Sequence, residues 1–252
     1  MDDPLPPVAG RARPRSYELP LIDRRVETPS SMTFRFSTEG ADFAYRSNQA
    51  VRLVLPAVED PWGPGRMFSL SSSPTEAGAI AVTAKITDTP FKQALRALRV
   101  GERVRVFGPL GDLLYDPSRP ALMLAGGIGI TPFRGMLRYA ADTGGKQPIV
   151  LLYSARVPEE FAFRNELDHL AGSHASIDVR YTVTRPEESK SAWTGRTGRI
   201  GEEWIREALE RLDRPKAYVV GLPGMARETL SVLRDRLGFL EDDLEYEYFM
   251  GY

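Results

Sequence analysis

Residues 121–142 read ALMLAGGIGITPFRGMLRYAAD, and the succession of their three parts decides the architecture. An apolar run, residues 121–125, stops at the glycine-rich turn Gly126-Gly127-Ile128-Gly129, and Thr131 and Pro132 then open a helical pattern. A strand that is apolar throughout is one buried on both faces, as in a parallel sheet flanked by helices. The same succession recurs downstream: PIVLLYS then PEEFAFRNELDHLA, SIDVRYTVT then GEEWIREALERL, KAYVVG then PGMARETLSVLRDRLG, with LEYEYF at the end. Strand and helix in alternation predict an α/β domain with a parallel sheet and crossover helices over residues 120–252. Glu159 and Glu160 fall at the start of the helix read from Pro158, where the helix dipole favours acidic side chains.

Upstream, Asp116-Pro117-Ser118-Arg119-Pro120 marks a domain boundary, and before it the pattern changes. YELPLIDRRVE, SMTFRFS, AVRLVLP, RMFSLSS, AIAVTAKIT and ERVRVF are short segments separated by turn residues, which predicts an antiparallel sheet or barrel over residues 17–116. One helix interrupts it. Thr89 suits an N-cap, Pro90 the first helical position, Phe91, Leu95 and Leu98 a buried stripe, and Gly101 a stop. Residues 1–16, rich in Pro and Arg, predict a disordered tail whose Arg11, Arg13 and Arg15 suit either water or an acidic partner.

Composition narrows the function. Lys+Arg 33 against Asp+Glu 34 gives a net charge of −1, so no global field recruits nucleic acid or an anionic membrane. With Cys at 0, disulfides, thiolate zinc sites, a catalytic thiol and a cysteine-ligated iron–sulfur cluster on this chain are all excluded. His169 and His174 are not joined by a convincing ligand set, so no metal site is expected. The longest apolar stretch, residues 121–130, is too short to span a bilayer, and the N-terminus lacks the apolar core of a signal peptide. A cytoplasmic chain without a membrane span is the expectation.

Three places carry chemistry. The turn of Gly126, Gly127 and Gly129, with Thr131 and Pro132 opening the helix, suits either a pyrophosphate received by backbone N–H groups or tight strand–helix packing. In the strand from Arg66, alternation puts Arg66, Phe68 and Leu70 on one face and Met67, Ser69 and Ser71 on the other, which by itself is an ordinary half-buried strand. The Thr89 helix start offers free N–H groups to a phosphate or is a plain capped helix, with Lys85 as a second cation or a solvated surface lysine.

In their order along the chain, Arg66-x-Phe68-Ser69, the Thr89 helix, GPLG at Gly108, GGIGITP, GLPGM at Gly221 and the ending Glu247-x-Phe249-x-Gly251-Tyr252 resemble the ferredoxin–NADP reductase family. The resemblance runs from about Tyr17 to the last residue. It implies a flavin-binding barrel followed by an NAD(P) domain, with the two cofactor rings meeting between them. Arg66 would then pair with flavin phosphate, Phe68 lie against the flavin and Ser69 hydrogen-bond near its N5. Glu247 and Phe249 would join Ser69 at the site of hydride transfer, Phe249 shielding the flavin face. Ser154 and Arg156 resemble the pair that receives the 2′-phosphate of NADP, a role that a hydroxyl and a guanidinium suit. Gly221, Pro223 and Met225 would border the nicotinamide, although Met225 also reads as core and Pro223 as a helix-start residue.

The sequence departs from the family pattern in three places. Phe68 replaces the usual Tyr and lacks its hydroxyl. Ser47-Asn48-Gln49 stands for Pro-Gly-Gln. Val220 stands for the Cys that faces the nicotinamide, where it would form an apolar wall. Trp193 reads as a loop anchor or a nucleotide cover, and Trp62 as a turn residue. The resemblance implies a flavoprotein reductase with FAD and NADP(H) as cofactors, FAD rather than FMN because the Thr89 helix start can seat a pyrophosphate. Its partner would be a separate redox protein, ferredoxin-like or an oxygenase component, since this chain has no cysteine for a cluster. A flavin or quinone reductase, and an electron-transfer subunit without productive nicotinamide chemistry, are the alternatives, the latter suggested by Val220.

Overall fold

The computed structural model describes residues 13–55, 58–111 and 114–250. Residues 1–12 of the expected tail, and Gly251 and Tyr252 of the C-terminal motif, lie outside them. Six antiparallel strands form the first sheet: β1 (Arg15–Thr28), β2 (Ser31–Ser37), β3 (Ala50–Val54), β4 (Gly65–Ser69), β5 (Ala79–Lys85) and β6 (Arg103–Leu110), in the order β4-β3-β6-β1-β2-β5. A bridge between Leu70 and Val82 joins the two ends of that order, so the sheet closes on itself. Inside lie the alternate residues that the period-2 pattern selects: Leu19, Leu21, Phe34, Phe36, Val51, Leu53, Val104 and Val106 are all buried. Helix α1 (Pro90–Ala97) packs Phe91 and Leu95 into this core.

The second sheet is parallel throughout: β7 (Ala121–Gly126), β8 (Ile149–Ala155), β9 (Ile177–Val183), β10 (Arg196–Thr197), β11 (Lys216–Gly221) and β12 (Leu244–Tyr248), in the order β10-β9-β8-β7-β11-β12. Both faces are covered, which explains the unbroken apolar strands. In β7, Ala121, Met123 and Ala125 enter one core with helices α2 (Ile130–Asp142) and α3 (Arg164–Ser173), while Leu122 and Leu124 enter the other with α4 (Glu202–Leu209) and α5 (Pro223–Ser231). The pairing register sets Gly126 beside Ser154 and Gly221 beside Tyr248, so the carboxyl ends of four strands stand level at one edge.

Four local expectations change. Strand β1 opens at Arg15, two residues ahead of the expected barrel start, because Arg15 and Ser16 pair with Gly108 and Phe107. The helix read from Pro158 is a short 3₁₀ turn, Pro158–Glu160, and α3 starts only at Arg164, after Phe163 adopts φ 61°. Glu159 and Glu160 are therefore not at a helix dipole: Glu159 accepts the N–H groups of Lys190 and Ser191, and Glu160 accepts the Ser30 hydroxyl at 2.5 Å. The Trp193 loop continues into a short sixth strand, β10.

Candidate functional site

The level edge of the parallel sheet faces the barrel across a cavity of about 1160 Å³. Strand β4 supplies one wall, with Arg66, Phe68 and Ser69 lining the cavity and each buried, while Met67 between them is 53% exposed. The opposite wall comes from the strand ends: Gly126, Gly127 and Thr131 after β7, Ser154 and Arg156 at β8, Met225 in α5, and Glu247 and Phe249 at β12. Ser69 Oγ donates to Glu247 Oε2 at 3.3 Å, so the two halves touch at the residues expected to carry the chemistry. Burial pushes the Glu247 carboxyl above its ordinary range, and the Ser69 hydrogen bond offsets part of that. Phe249 is tied by its N–H to the Gly221 carbonyl at 2.9 Å and packs against the α2 side of the sheet.

A second corner collects charge. Arg66 donates through Nη1 to the carbonyls of Trp62, Gly63 and Gly65 and through Nη2 to Asp60, and its Nε is buried without a partner. Lys92, in the first turn of α1, is also buried and holds its Nζ 4.5 Å from the Phe68 ring centroid. Burial, then the neighbouring Arg66, push its amine down to about 8. Phe68 stacks on Phe91, with centroids 6.2 Å apart. The N-cap position is Thr89 as expected, but its hydroxyl does not cap the helix; the carboxylate of Asp60 does, accepting the Phe91 N–H at 3.1 Å. Lys85 lines the cavity from an exposed position.

At the other end of the cavity, Ser154 and Arg156 line it together, and a carboxylate joins them from outside their segment. Arg156 Nη2 donates to Glu188 Oε2 at 2.5 Å, and Arg185 donates to the other oxygen at 2.8 Å. Arg185 first, then Arg156, hold the Glu188 carboxyl below its usual range. Arg199 and Glu228 form a similar pair at 2.6 Å on the same cavity.

Not every expected residue reaches the cavity. Gly129 faces β11, where a Cβ would come 2.3 Å from the Val220 carbonyl oxygen, so it serves strand–helix packing. Pro132 is buried inside α2, Gly221 lies under Met225, and Thr89 and Pro223 stand at helix starts away from the lining. Val220 is fully buried in the core beneath α2 and is not a cavity wall, so it gives no reason for impaired nicotinamide chemistry. Sequence reading missed Lys92, Asp60, Glu188, Arg199 and Glu228. Of these only Lys92 had a local signal, since it lies in the first turn of the helix already singled out. Asp60 comes from the loop just before β4, and the others from loops and helices distant in the chain.

The residues present fit a flavin and a nicotinamide nucleotide. Arg66 has a buried Nε without a partner, Lys92 adds a buried amine, Phe68 lines the cavity, and Gly127, at φ +54° with open space where a Cβ would stand, leaves backbone accessible to a phosphate.

Comparison with known proteins agrees with this geometry. Residues 123–230 match the oxidoreductase NAD-binding domain family. Over 234 residues the chain is 30% identical to ferredoxin–NADP reductase B of Sorangium cellulosum (strain So ce56), covering 88% of this chain and 93% of that protein. It is 33% identical over 190 residues to the stachydrine N-demethylase reductase subunit of Rhizobium meliloti (strain 1021), covering 73% of this chain and 53% of the relative; the chain thus spans about half the length of that protein. In fold it matches a cytochrome P450 reductase from Amycolatopsis with a TM-score of 0.80 at 19% identity, over 96% of this chain and 72% of that one. With both sheets and nearly the whole sequence in agreement, the chain belongs to the ferredoxin–NADP reductase family of flavin-dependent NAD(P)H oxidoreductases.

Proposed function

We propose that this chain binds FAD and NADPH, takes a hydride from the nicotinamide and delivers electrons singly to a separate redox protein, ferredoxin-like or an oxygenase component. The observation that carries this reading is the Ser69–Glu247 hydrogen bond, which joins the flavin-side strand to the nucleotide-side strand at the floor of one cavity. A bound flavin supplies acceptance of two electrons together and their release one at a time. Phe68 lines the flavin side, Arg66 and Lys92 offer cations, and FAD is favoured over FMN because the start of α1, whose Phe91 N–H is held by Asp60, lies beside them. Ser69 Oγ and the Glu247 carboxyl, which keeps its proton to a higher pH than an exposed glutamate, hold and move the proton that accompanies the hydride. Phe249 shields the reacting face from water until the nicotinamide replaces it.

The preference for NADPH rests on Ser154 and Arg156. Glu188 opposes it by sharing its carboxylate with Arg156, and Arg185 on the same carboxylate offsets part of that charge. The partner assignment draws on the relatives named as a ferredoxin–NADP reductase and an N-demethylase reductase subunit, together with the absence of cysteine. Among the described residues no helix is long and apolar enough to cross a membrane, and a cytoplasmic location is part of the same proposal.

The test is the absorption spectrum of the purified protein before and after anaerobic addition of NADPH, repeated with NADH. A yellow protein that bleaches supports the reading; one that carries no flavin, or stays yellow with both nucleotides, defeats it.

A further inference from the structure

The anion-binding corner beside the flavin strand already contains an anion belonging to the protein. Asp60 Oδ1 accepts Arg66 Nη2 and the Trp62 N–H at 2.9 Å, and Oδ2 accepts the Phe91 N–H of α1 at 3.1 Å. The Asp60 side chain is 0% exposed and that of Arg66 6%. Both donor types that a phosphate would use, a guanidinium and a helix N-terminal amide, thus converge on one buried carboxylate. Burial opposes its ionisation, but the Trp62 and Phe91 N–H groups and Arg66 prevail and hold the carboxyl below its ordinary range.

As folded, most of the Arg66 guanidinium already faces acceptors of the protein itself. Nη1 is engaged by three carbonyls, Nη2 by Asp60, and Nε is enclosed without a partner. Arg66 nevertheless lines the cavity, and so do Lys92 and Trp62, the residue two positions after Asp60. A ligand phosphate brought to this guanidinium would meet the like charge of Asp60 already on Nη2, and it gains that donor and the Phe91 amide only if the carboxylate withdraws. The Gly65 carbonyl opens β4 and those of Trp62 and Gly63 lie on the same loop as Asp60, but all three are backbone groups, whereas the Asp60 carboxylate is on a side chain.

We propose that Asp60 is an internal occupant of the phosphate seat formed by Arg66 and the first turn of α1, and that flavin phosphate binds by displacing its carboxylate. This rests on the flavin reading above and adds the competitor. Before loading, Asp60 neutralises Arg66 and satisfies the Phe91 amide, which keeps a buried cation and a helix end from standing unpaired. On loading, the phosphate takes those donors, and residues 58–64 lose the contacts that Asp60 made for them. Lys92 remains beside the seat as a cation for the second negative charge of a pyrophosphate.

The experiment compares the native protein and Asp60→Asn, both stripped of flavin, in equilibrium titrations with FAD and with riboflavin, which has no phosphate. Hydrogen exchange of residues 58–64 is measured with and without FAD. Removing the competing charge should tighten FAD roughly 10-fold, the size of one charge-assisted hydrogen bond at the low end, and leave riboflavin unchanged. In the native protein, exchange in residues 58–64 should rise on FAD loading while the barrel becomes more protected. Weaker or equal FAD binding by Asp60→Asn would make the carboxylate a permanent strut for Arg66 and overturn the proposal. Should that variant fail to fold, increased protection of residues 58–64 in the loaded native protein overturns it equally. A native protein that binds FAD but shows either result refutes the displacement alone; one that binds no flavin refutes the flavin reading and the displacement with it.

Discussion

Ser69 and Glu247 stand 178 residues apart in the chain and meet at 3.3 Å, one at the end of a barrel strand and the other in the last strand of the parallel sheet. Ser69→Ala and Glu247→Gln should each slow flavin reduction by NADPH, on the order of 10²-fold if the pair handles the proton, with nucleotide affinity nearly unchanged. Stopped-flow reduction at several NADPH concentrations separates the two effects. A loss confined to affinity would reduce the pair to a binding role.

The same carboxyl makes stability depend on pH. Its folded-state pKa is raised, so the native state holds this proton more tightly than the unfolded state. The stability Glu247 contributes is present at pH below its unfolded value and is lost as pH rises through the folded value. Glu247→Gln cannot lose it. Its melting temperature relative to the native protein should therefore climb between pH 4 and pH 8, and a flat difference across that range would contradict the burial argument.

Glu188 and Arg156 predict opposite shifts in nucleotide preference. Arg156→Ala should weaken NADPH relative to NADH, by about 1 kcal/mol because the guanidinium is largely exposed. Glu188→Gln should move the ratio toward NADPH by removing the carboxylate that competes for Arg156. The ratio of catalytic efficiencies for the two nucleotides measures both, and a native ratio that neither substitution moves would take this pair out of the site.

Arg134 bridges the two halves away from the cavity. It donates to the Ser71 carbonyl at 3.1 Å and to Glu76 Oε1 at 3.0 Å on the barrel side, and pairs with Glu166 of α3 at 2.7 Å. Burial disfavours its charge, but the two carboxylates more than compensate and raise its pKa. Arg134→Met leaves those partly buried carboxylates facing each other and should cost roughly 2 to 3 kcal/mol in urea unfolding. A change below about 0.5 kcal/mol would class it with surface pairs.

The glycine turn separates packing from binding. Gly129→Ala would drive a Cβ to 2.3 Å from a backbone oxygen of β11 and should cost roughly 3 kcal/mol. Gly127→Ala meets open space but must hold φ +54°, at about 1 to 2 kcal/mol, while crowding the cavity. Thermal unfolding should therefore be hurt more by the first, and nucleotide affinity more by the second.

What the sequence alone determined is whatever depends on local period and short-range chemistry. The two sheets, their order in the chain and most strand positions follow from periods of 2 and of unbroken apolar runs, because burial on one face or two leaves its mark on neighbouring residues. Arg66, Phe68, Ser69 and the turn after β7 were legible as one ordered motif set for the same reason: each is a contiguous segment. The tertiary structure alone decided which charges meet. Asp60 on Arg66, Glu188 on Arg156 and Arg134 between Glu76 and Glu166 are pairs separated by 6 to 58 residues. No helical or strand period links such partners. It also decided that Val220 faces the core and that Gly129 packs while Gly127 lines the cavity, since these depend on how closely α2 approaches β11. Electrostatic pairing and close packing act through space, over distances that chain separation does not encode.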